Sequence, residues 1–580
     1  MAAEGVDGIA LLIEEMKADD TERRIQAMHS LQTVAKALGP ARTASELVPF
    51  LAEQVEDDDE VLMVMAEQLA GFVELMGGHS QAAVLVDILG SLATVEETVV
   101  RDKAVESTNT IVEGLPSADI VTHVLPVIER LASGEWFTSR VSAAGLFPTA
   151  YARLADPAAA TKLRQHFKAL CSDDTPMVRR AAAKHIGAFA DAAHDGSVGE
   201  LLPLFTQLAG DDQDSVRLLA IENCTAFARN LAAGDAQSTV LPLAKACAED
   251  KSWRVRNNIA KDFHELSAAL GAAIAKDHLL PLFVKLLQDP EAEVRGNAAM
   301  QLEGYAALVG SGPFSTLVLP SLKALAGDVA QSVRVATAES VMKVLPSVEK
   351  DVARTSMLPL VLQLLRDEAA EVRAKVLGLL EHLVTAVGED VVDTSLIPVL
   401  VSLGSDMQWR VREGVMQQMP LFARVMSAPS FESKLLPMFL AALDDSVASV
   451  RVATAASMEG LGSTMGSDWS MAHLAPRLQE LFSAAEHFNQ RATVVYAVQA
   501  LARAADHSAV VADLVSVLTA AAQDAVPNVR LVAARAMADV ARAIPDDQYA
   551  SVLKPVLLQL ESDSDDDVKH FAAASRAAVE

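Results

Sequence analysis

The phrase Asp-x-x-x-x-Val-Arg returns at a fixed step of 39 residues, at Asp211/Val216/Arg217, Asp250/Val255/Arg256, Asp289/Val294/Arg295, Asp328/Val333/Arg334, Asp367/Val372/Arg373, Asp406/Val411/Arg412 and Asp445/Val450/Arg451. Following the Arg slot outward at steps of 38 to 40 gives Arg179, Arg140, Arg101, Leu62 and Arg24 upstream, then Arg491, Arg530 and Lys569 downstream: about fifteen copies in 580 residues. A proline keeps the same period fourteen residues before the Arg slot, at Pro126, Pro203, Pro242, Pro281, Pro320, Pro359, Pro398, Pro437 and Pro555. Two markers in phase exclude coincidence. Self-similarity at this period means stacked supersecondary units, none of which buries its apolar face alone.

One copy sets the grammar. Residues 277–288 place Leu279, Phe283, Leu286 and Leu287 on one face at helical spacing. This is helix A, with Asp277 as its expected N-cap and Pro281 in or near the first turn, where a missing N–H costs least. Asp289-Pro290 breaks it, and helix B follows with the stripe Val294, Ala298, Leu302, Tyr305 and Leu308 before Gly310–Pro313 leads to the next repeat. Each repeat is therefore expected to be an antiparallel helix pair, and the chain an all-α solenoid. The turn Asp is expected to cap helix B and the Val to enter the core. A purely solvated position would not stay basic in nearly every copy. The Arg is therefore expected to meet the turn Asp of an adjacent repeat, in a ladder that includes Asp250, Arg256, Asp289, Arg295, Asp328, Arg334, Asp367 and Arg373.

The pattern loosens in places. Leu62 replaces the Arg of the second repeat after an acidic run at 56–60, and near 486–491 the spacing gains one residue and the turn Asp is lost, a local irregularity in repeat thirteen. Apolar residues make up 51% and aromatics 4%, so the cores are built from Ala, Leu and Val, which suits close-packed helices. The formal charge of -29 repels phosphate backbones and anionic membrane surfaces, so neither nucleic acid nor membrane is an expected partner. Cys171, Cys224 and Cys247 are far apart, without a C-x-x-C pair, and read as core thiols of a reducing compartment. Glu4, Asp7, Glu14 and Glu15 surround a short apolar run at 9–13 that lacks the basic flank of a signal peptide, so a soluble intracellular chain is expected.

Three of the four Trp, Trp136, Trp253 and Trp409, fall in the turns, the last two in the same slot three residues before the Arg. Trp beside Arg is the usual pairing at binding hot spots, so these turns are the expected interaction surface. Trp469, outside a turn, reads as structural. Catalytic lures fail on spacing. His264-Glu265 has no second His one turn on, and Gly460, Gly462 and Gly466 do not follow a strand. The thirteen His show no ligand spacing, so no metal and no cofactor is expected.

Paired helices, the 39-residue step and Asp-x-x-x-x-Val-Arg resemble HEAT repeats. The stretches 93–107, 136–140, 170–183, 214–220 and 249–256 are similar to the scaffolding A-subunit family of protein phosphatase 2A. That resemblance implies a horseshoe of about fifteen HEAT repeats with no chemistry of its own, in a heterodimer or heterotrimer rather than a homo-oligomer. The implied partners are variable regulatory subunits and the phosphatase catalytic subunit. It further implies that repeats one to eight, 1–310, bind the regulatory subunit, that 311–390 connects, and that repeats eleven to fifteen, 391–580, bind the catalytic subunit. Carried onto this chain, catalytic-subunit contacts fall at Trp409, Arg410 and Val526. Regulatory-subunit contacts fall at Glu96, Glu97, Trp136, Pro176, Arg179, Arg180, Ser252 and Trp253, although Arg179 also fills the ladder slot. The implied location is cytoplasm and nucleus. A nuclear-transport receptor and a static structural filament component are the competing readings of the same architecture.

Overall fold

The computed structural model describes residues 14–193, 196–504 and 508–580, with the backbone alone at 508 and 509. Glu4, Asp7 and the apolar run 9–13 lie outside the described residues. Among the described residues every element is helical, and the chain divides into two compact units, Met1–Leu286 and Leu287–Glu580.

Repeat nine, in the second unit, shows why the phrase folds as it does. Helix A occupies 311–325 and helix B is Gln331–Val344. Helix B packs on helix A of its own repeat and on the B helices of both neighbours, Ala292–Met300 and Ala370–Leu377. The phrase Val, Val333, is completely buried, as are its equivalents Val294, Val372, Val411 and Val450. Because each repeat contributes only two helices, most of its apolar area is covered by its neighbours, and stability accumulates between repeats rather than within them.

The first unit is built the same way with more aromatic filling. Phe167 from helix A of repeat five (Pro157–Cys171) and Phe189 from its helix B (Pro176–Ala192) meet tilted at 4.7 Å, and Phe147 and Tyr151 of repeat four meet them edge-on at centroid distances of 4.8 to 6.0 Å. Such pairs add roughly 0.5–1.5 kcal/mol each beyond the area they bury. Phe205 stacks on Phe227 one repeat later, at 4.2 Å.

Helix A departs from the sequence expectation in a regular way. Asp277 does not cap it: the helix begins at Ala272, after Gly271 in a left-handed conformation (φ 96°), and Asp277 lies exposed inside it. Pro281 lies well past the first turn, just behind a five-residue π-turn, Ala275–Leu279. A mid-helix proline lacks an N–H and its ring clashes with the carbonyl four residues back. The helix answers by widening, so that the Leu280 N–H reaches the Ala275 carbonyl five residues back. The same π-turn precedes Pro49, Pro126, Pro242, Pro320, Pro359, Pro398 and Pro555. Where the slot holds Gln165 or Ser516 instead, helix A is uninterrupted, as Pro157–Cys171 and Ser508–Ala521.

Helix B is also less continuous than its stripe suggests. In repeat eight it is Ala292–Met300 then Leu302–Val309, broken at Gln301, and Val309 rather than Leu308 is buried at its end. Gly310 (φ 83°) then ends helix B and starts the next helix A in one residue, a role repeated by Gly388 and Gly466 in this unit.

Candidate protein-binding ridge

Where a turn between helix A and helix B carries the full phrase, its Asp and Arg assemble it. In repeat nine, Asp328 Oδ1 accepts the Ala330 N–H at 2.9 Å. Ala330 is the N-cap of helix B and has no capping side chain of its own. The Asp thus stands two residues outside the helix and closes an Asx-type turn onto its first residue, rather than capping it from the N-cap position. Arg295 of repeat eight donates to both Asp328 oxygens, Nε at 2.7 Å and Nη2 at 2.8 Å. Arg334 donates Nη1 back to the Asp328 carbonyl at 2.9 Å and reaches forward with Nε and Nη2 to Asp367 at 2.7 and 3.1 Å.

One guanidinium therefore holds its own turn shut and clamps it to the next. In the first unit, rungs run from Arg140 to Asp173, Arg179 to Asp211 and Arg217 to Asp250. In the second they run from Arg295 to Asp328, Arg334 to Asp367, Arg373 to Asp406, Arg412 to Asp445, Arg491 to Asp524 and Arg530 to Asp563. Arg256 donates to the Asp250 carbonyl at 2.8 Å, and Asp289 accepts the Glu291 N–H at 3.0 Å. Two ladder arginines face a turn whose Asp slot holds no Asp. Arg101 faces a turn with Gly134 in the Asp slot and donates to the Val95 and Glu96 carbonyls and to Thr98 Oγ1. Arg451 faces Ala485 and uses Thr493 Oγ1 and the Asp445 carbonyl. In repeat thirteen the capping work passes to His487 and Gln490, which form a reciprocal capping box.

The ladder sets the charge state of the turns. Arg412 hydrogen bonds hold Asp445 below the usual carboxylate range, and Arg530 with the Asp565 N–H takes Asp563 down to about 2. At Asp328 burial pushes upward, yet Arg295 and the Ala330 N–H outweigh it and the carboxyl is lowered. At Asp328, Asp445 and Asp563 the carboxylate therefore stays ionised against its arginine at neutral pH.

On this scaffold the residues singled out from the sequence take definite places. Trp136 is the N-cap residue of Phe137–Ala144 and is 74% exposed. Trp253 opens Trp253–Lys261, is 39% exposed, and carries the Arg254 guanidinium 6.0 Å from its ring centre. Trp409 opens Trp409–Gln417, half-buried, with Arg410 at 4.6 Å over its ring. The turns before Trp253 and Trp409 are closed by Asp250 and Asp406, which accept the Ser252 and Gln408 N–H at 2.8 Å, whereas Gly134 stands in the Asp slot before Trp136. Glu96 is exposed, while Glu97 is the N-cap of Thr98–Val112 and accepts the Thr98 N–H at 3.1 Å. Pro176 and Arg180 are exposed, but Arg179 spends its donors on Asp211, Asp212 and the Asp173 carbonyl, so its role is in the ladder. Ser252 donates to Asp214 at 3.1 Å and joins the turns of repeats six and seven. Val526 is the half-buried N-cap residue of Pro527–Ala543.

Within the first unit the rungs from Arg140 to Asp250 string the turns of Trp136, Pro176, Arg180 and Trp253 together. Within the second, the turns of Trp409 and Val526 lie on either side of the gap at Ala485. Trp469 packs inward instead: its indole donates to Glu432 at 2.8 Å and stacks on His473 at 5.0 Å. Reading the turns through Trp alone misses other apolar side chains in the same positions. Val329 and Met407 are 94% exposed, and Val99, Phe137, Met177 and Phe488 are exposed as well. Their signal in the sequence is an apolar residue among turn polar residues. Of the glycine trio, Gly460 lies inside Ala448–Met465, where a Cβ would stand 3.0 Å from the Pro420 ring, and Gly466 is the junction glycine at φ 88°.

The repeats have known relatives. Residues 272–348 match the PPP2R1A-like HEAT repeat family and 163–193 the HEAT repeat family, while 345–467 match the PIK3R4-like middle domain. The chain is 43% identical over 261 residues to the regulatory A-subunit of protein phosphatase PP2A from Schizosaccharomyces pombe, an alignment covering 45% of this chain and 44% of that one. It is 47% identical over 236 residues to a probable serine/threonine-protein phosphatase PP2A regulatory subunit of Caenorhabditis elegans, covering 40% of each. It is 53% identical over 182 residues to the PP2A 65 kDa regulatory subunit of Drosophila melanogaster, covering 31% of each. These alignments span less than half the length of the curated relatives. Among solved structures, Kap95p bound to RanGDP superimposes with a TM-score of 0.61 at 14% identity, covering 99% of this chain and 76% of that one. Kap121p bound to the Cdc14p C-terminus superimposes at 0.52 and 13% identity, over 98% of this chain and 67% of that one. The karyopherin likeness is one of fold alone, that of an α-solenoid.

Proposed function

We propose that this chain, a HEAT-repeat solenoid homologous to the regulatory A-type subunits of protein phosphatase 2A, is the non-catalytic scaffold of a heterotrimeric serine/threonine phosphatase. The observation that carries this reading is the identity of 39 to 53% to curated relatives that bear that name. In this reading the turns of repeats one to eight, 1–310, hold a variable regulatory subunit through Glu96, Trp136, Pro176, Arg180 and Trp253. Repeats nine and ten, 311–390, connect. The turns of 391–580 hold the catalytic subunit through Trp409, Arg410 and Val526. Rigid turns that present Trp and Arg side by side support the choice of this surface, since such pairs dominate binding energy when a partner desolvates them.

The scaffold's mechanism is positional. By holding the catalytic subunit beside the one that selects substrates, it converts their encounter into an intramolecular event at high effective concentration. The karyopherin reading is not favoured, because identities of 12 to 14% argue only for architecture. A pull-down from cell extract with the purified chain as bait, followed by phosphatase assay and identification of the bound proteins, tests the proposal. Wild type is expected to retain a serine/threonine phosphatase. Trp409→Ala is expected to retain far less, since loss of a hot-spot Trp costs about 2 kcal/mol or more, roughly thirtyfold in affinity. Recovery of transport proteins without phosphatase would refute it.

A further inference from the structure

Each phrase turn holds one residue at its tip. The turn Asp closes onto the N–H of the residue two further on, so the residue between them faces solvent whatever its type: Asp212, Lys251, Val329, Glu368 and Ala525 are all exposed there. In repeat eleven that residue is Met407. Asp406 Oδ1 accepts the Gln408 N–H at 2.8 Å and Arg373 Nη2 reaches the same oxygen at 2.9 Å. Arg412 Nη1 donates to the Asp406 and Met407 carbonyls at 2.7 and 3.4 Å. The backbone on both sides of Met407 is thus pinned, and the residue stays 94% exposed.

A thioether this open is exceptional in the chain. Met177 and Met300 are 48% and 43% exposed, and every other described methionine is buried or partly buried. Methionine ordinarily fills gaps in a core; Met407 fills none, yet it lies two residues before Trp409, whose ring carries Arg410. The competing sulfur groups are shielded. Cys171, Cys224 and Cys247 are buried, and burial pushes their thiols up, so they stay protonated and unreactive. A thioether has no proton to lose, so access alone separates Met407 from the other methionines.

We propose that Met407 is an oxidation-sensitive contact for the phosphatase catalytic subunit: the thioether is covered by that subunit on binding, and its sulfoxide, formed by hydrogen peroxide on the free chain, weakens the association. The proposal rests on the scaffold reading above, which assigns the Trp409 turn to the catalytic subunit. In the reaction a sulfur lone pair attacks one peroxide oxygen and the O–O bond breaks as the S–O bond forms. The departing hydroxide takes the proton of the transferred oxygen and leaves as water. Sulfur gives up two electrons and the peroxide accepts them. The product replaces an apolar tip with a strongly polar S–O group. That group costs nothing while it faces water, but a partner that covers it must strip its hydration. The effect therefore falls on binding and not on folding, and the bound subunit shields the sulfur from attack.

The test treats the purified full-length chain with hydrogen peroxide, removes the peroxide with catalase, and quantifies sulfoxide at each methionine by peptide mass spectrometry. Melting temperature, and affinity for the purified catalytic subunit by biolayer interferometry, are then measured for wild type, Met407→Leu and Trp409→Ala, before and after treatment. Met407 is expected to oxidise several-fold faster than Met177 or Met300, with the melting temperature unchanged when Met407 alone is converted. Affinity is expected to fall about tenfold, to return after treatment with methionine sulfoxide reductase, and to withstand peroxide in Met407→Leu. Should the Met407 sulfoxide bind within about twofold of the thioether while Trp409→Ala binds poorly, or should Met407→Leu lose affinity to peroxide as wild type does, the Met407 assignment is overturned and the scaffold reading stands. Should untreated wild type fail to bind the catalytic subunit, the scaffold reading falls and this contact with it.

Discussion

A ladder arginine spends one planar group on two tasks, closing its own turn through a carbonyl and clamping the next turn through a carboxylate. Lysine has the charge but not the fork. Arg334→Lys is expected to cost about 2 kcal/mol, because Arg334 and Asp367 side chains are only 9% and 8% exposed. Denaturant unfolding with unchanged partner affinities at distant turns would check it. These positions were open to reading because a basic residue every 39 residues demands a repeated partner. The meaning of Asp277 was not, because Asp is equally at home at an N-cap and on the exposed face of a helix interior.

At the level of the helix pair, period and apolar stripe suffice for two antiparallel helices, but they hide how each is interrupted. The slot proline was visible from the start, yet a proline signals a helix start and a mid-helix bulge alike. Most slot prolines follow a π-turn and the helices at Gln165 and Ser516 run uninterrupted, yet helix A also runs unbroken through Pro203, so the ring favours the bulge without forcing it. The junction glycine answers to a different constraint. Gly310 sits at φ 83° with nothing within 4 Å of an added Cβ, so only backbone strain opposes a side chain there. Gly310→Ala is expected to destabilise by about 1–2 kcal/mol, and Gly310→Asn by less, since Asn tolerates the left-handed region better. Equilibrium unfolding of both variants would check the order, and equal losses would mean that steric crowding, not φ, sets the cost.

Over the whole chain the turns add up. Asp173, Asp211, Asp250, Asp328, Asp445, Asp524 and Asp563 all ionise more readily in the folded chain than in free solution. Their stabilisation is therefore fully present above the ordinary carboxylate range and is lost as pH falls through the folded values, about 2 at Asp563. Stability is expected to be nearly flat from about pH 7 to 5 and to fall steeply below about 4, with circular dichroism at fixed salt as the check. Within each unit the clamped turns tie each repeat to the next, so their ionisation and the unit's stability are linked.

The central claim is that this ridge carries two proteins at once. Native mass spectrometry of the purified chain mixed with the catalytic and regulatory subunits of phosphatase 2A measures that directly. The account predicts a single 1:1:1 species, which loses only the catalytic subunit on Trp409→Ala and only the regulatory subunit on Trp136→Ala with Trp253→Ala. A chain that stays unbound, or that loses both partners whichever Trp is removed, would contradict it.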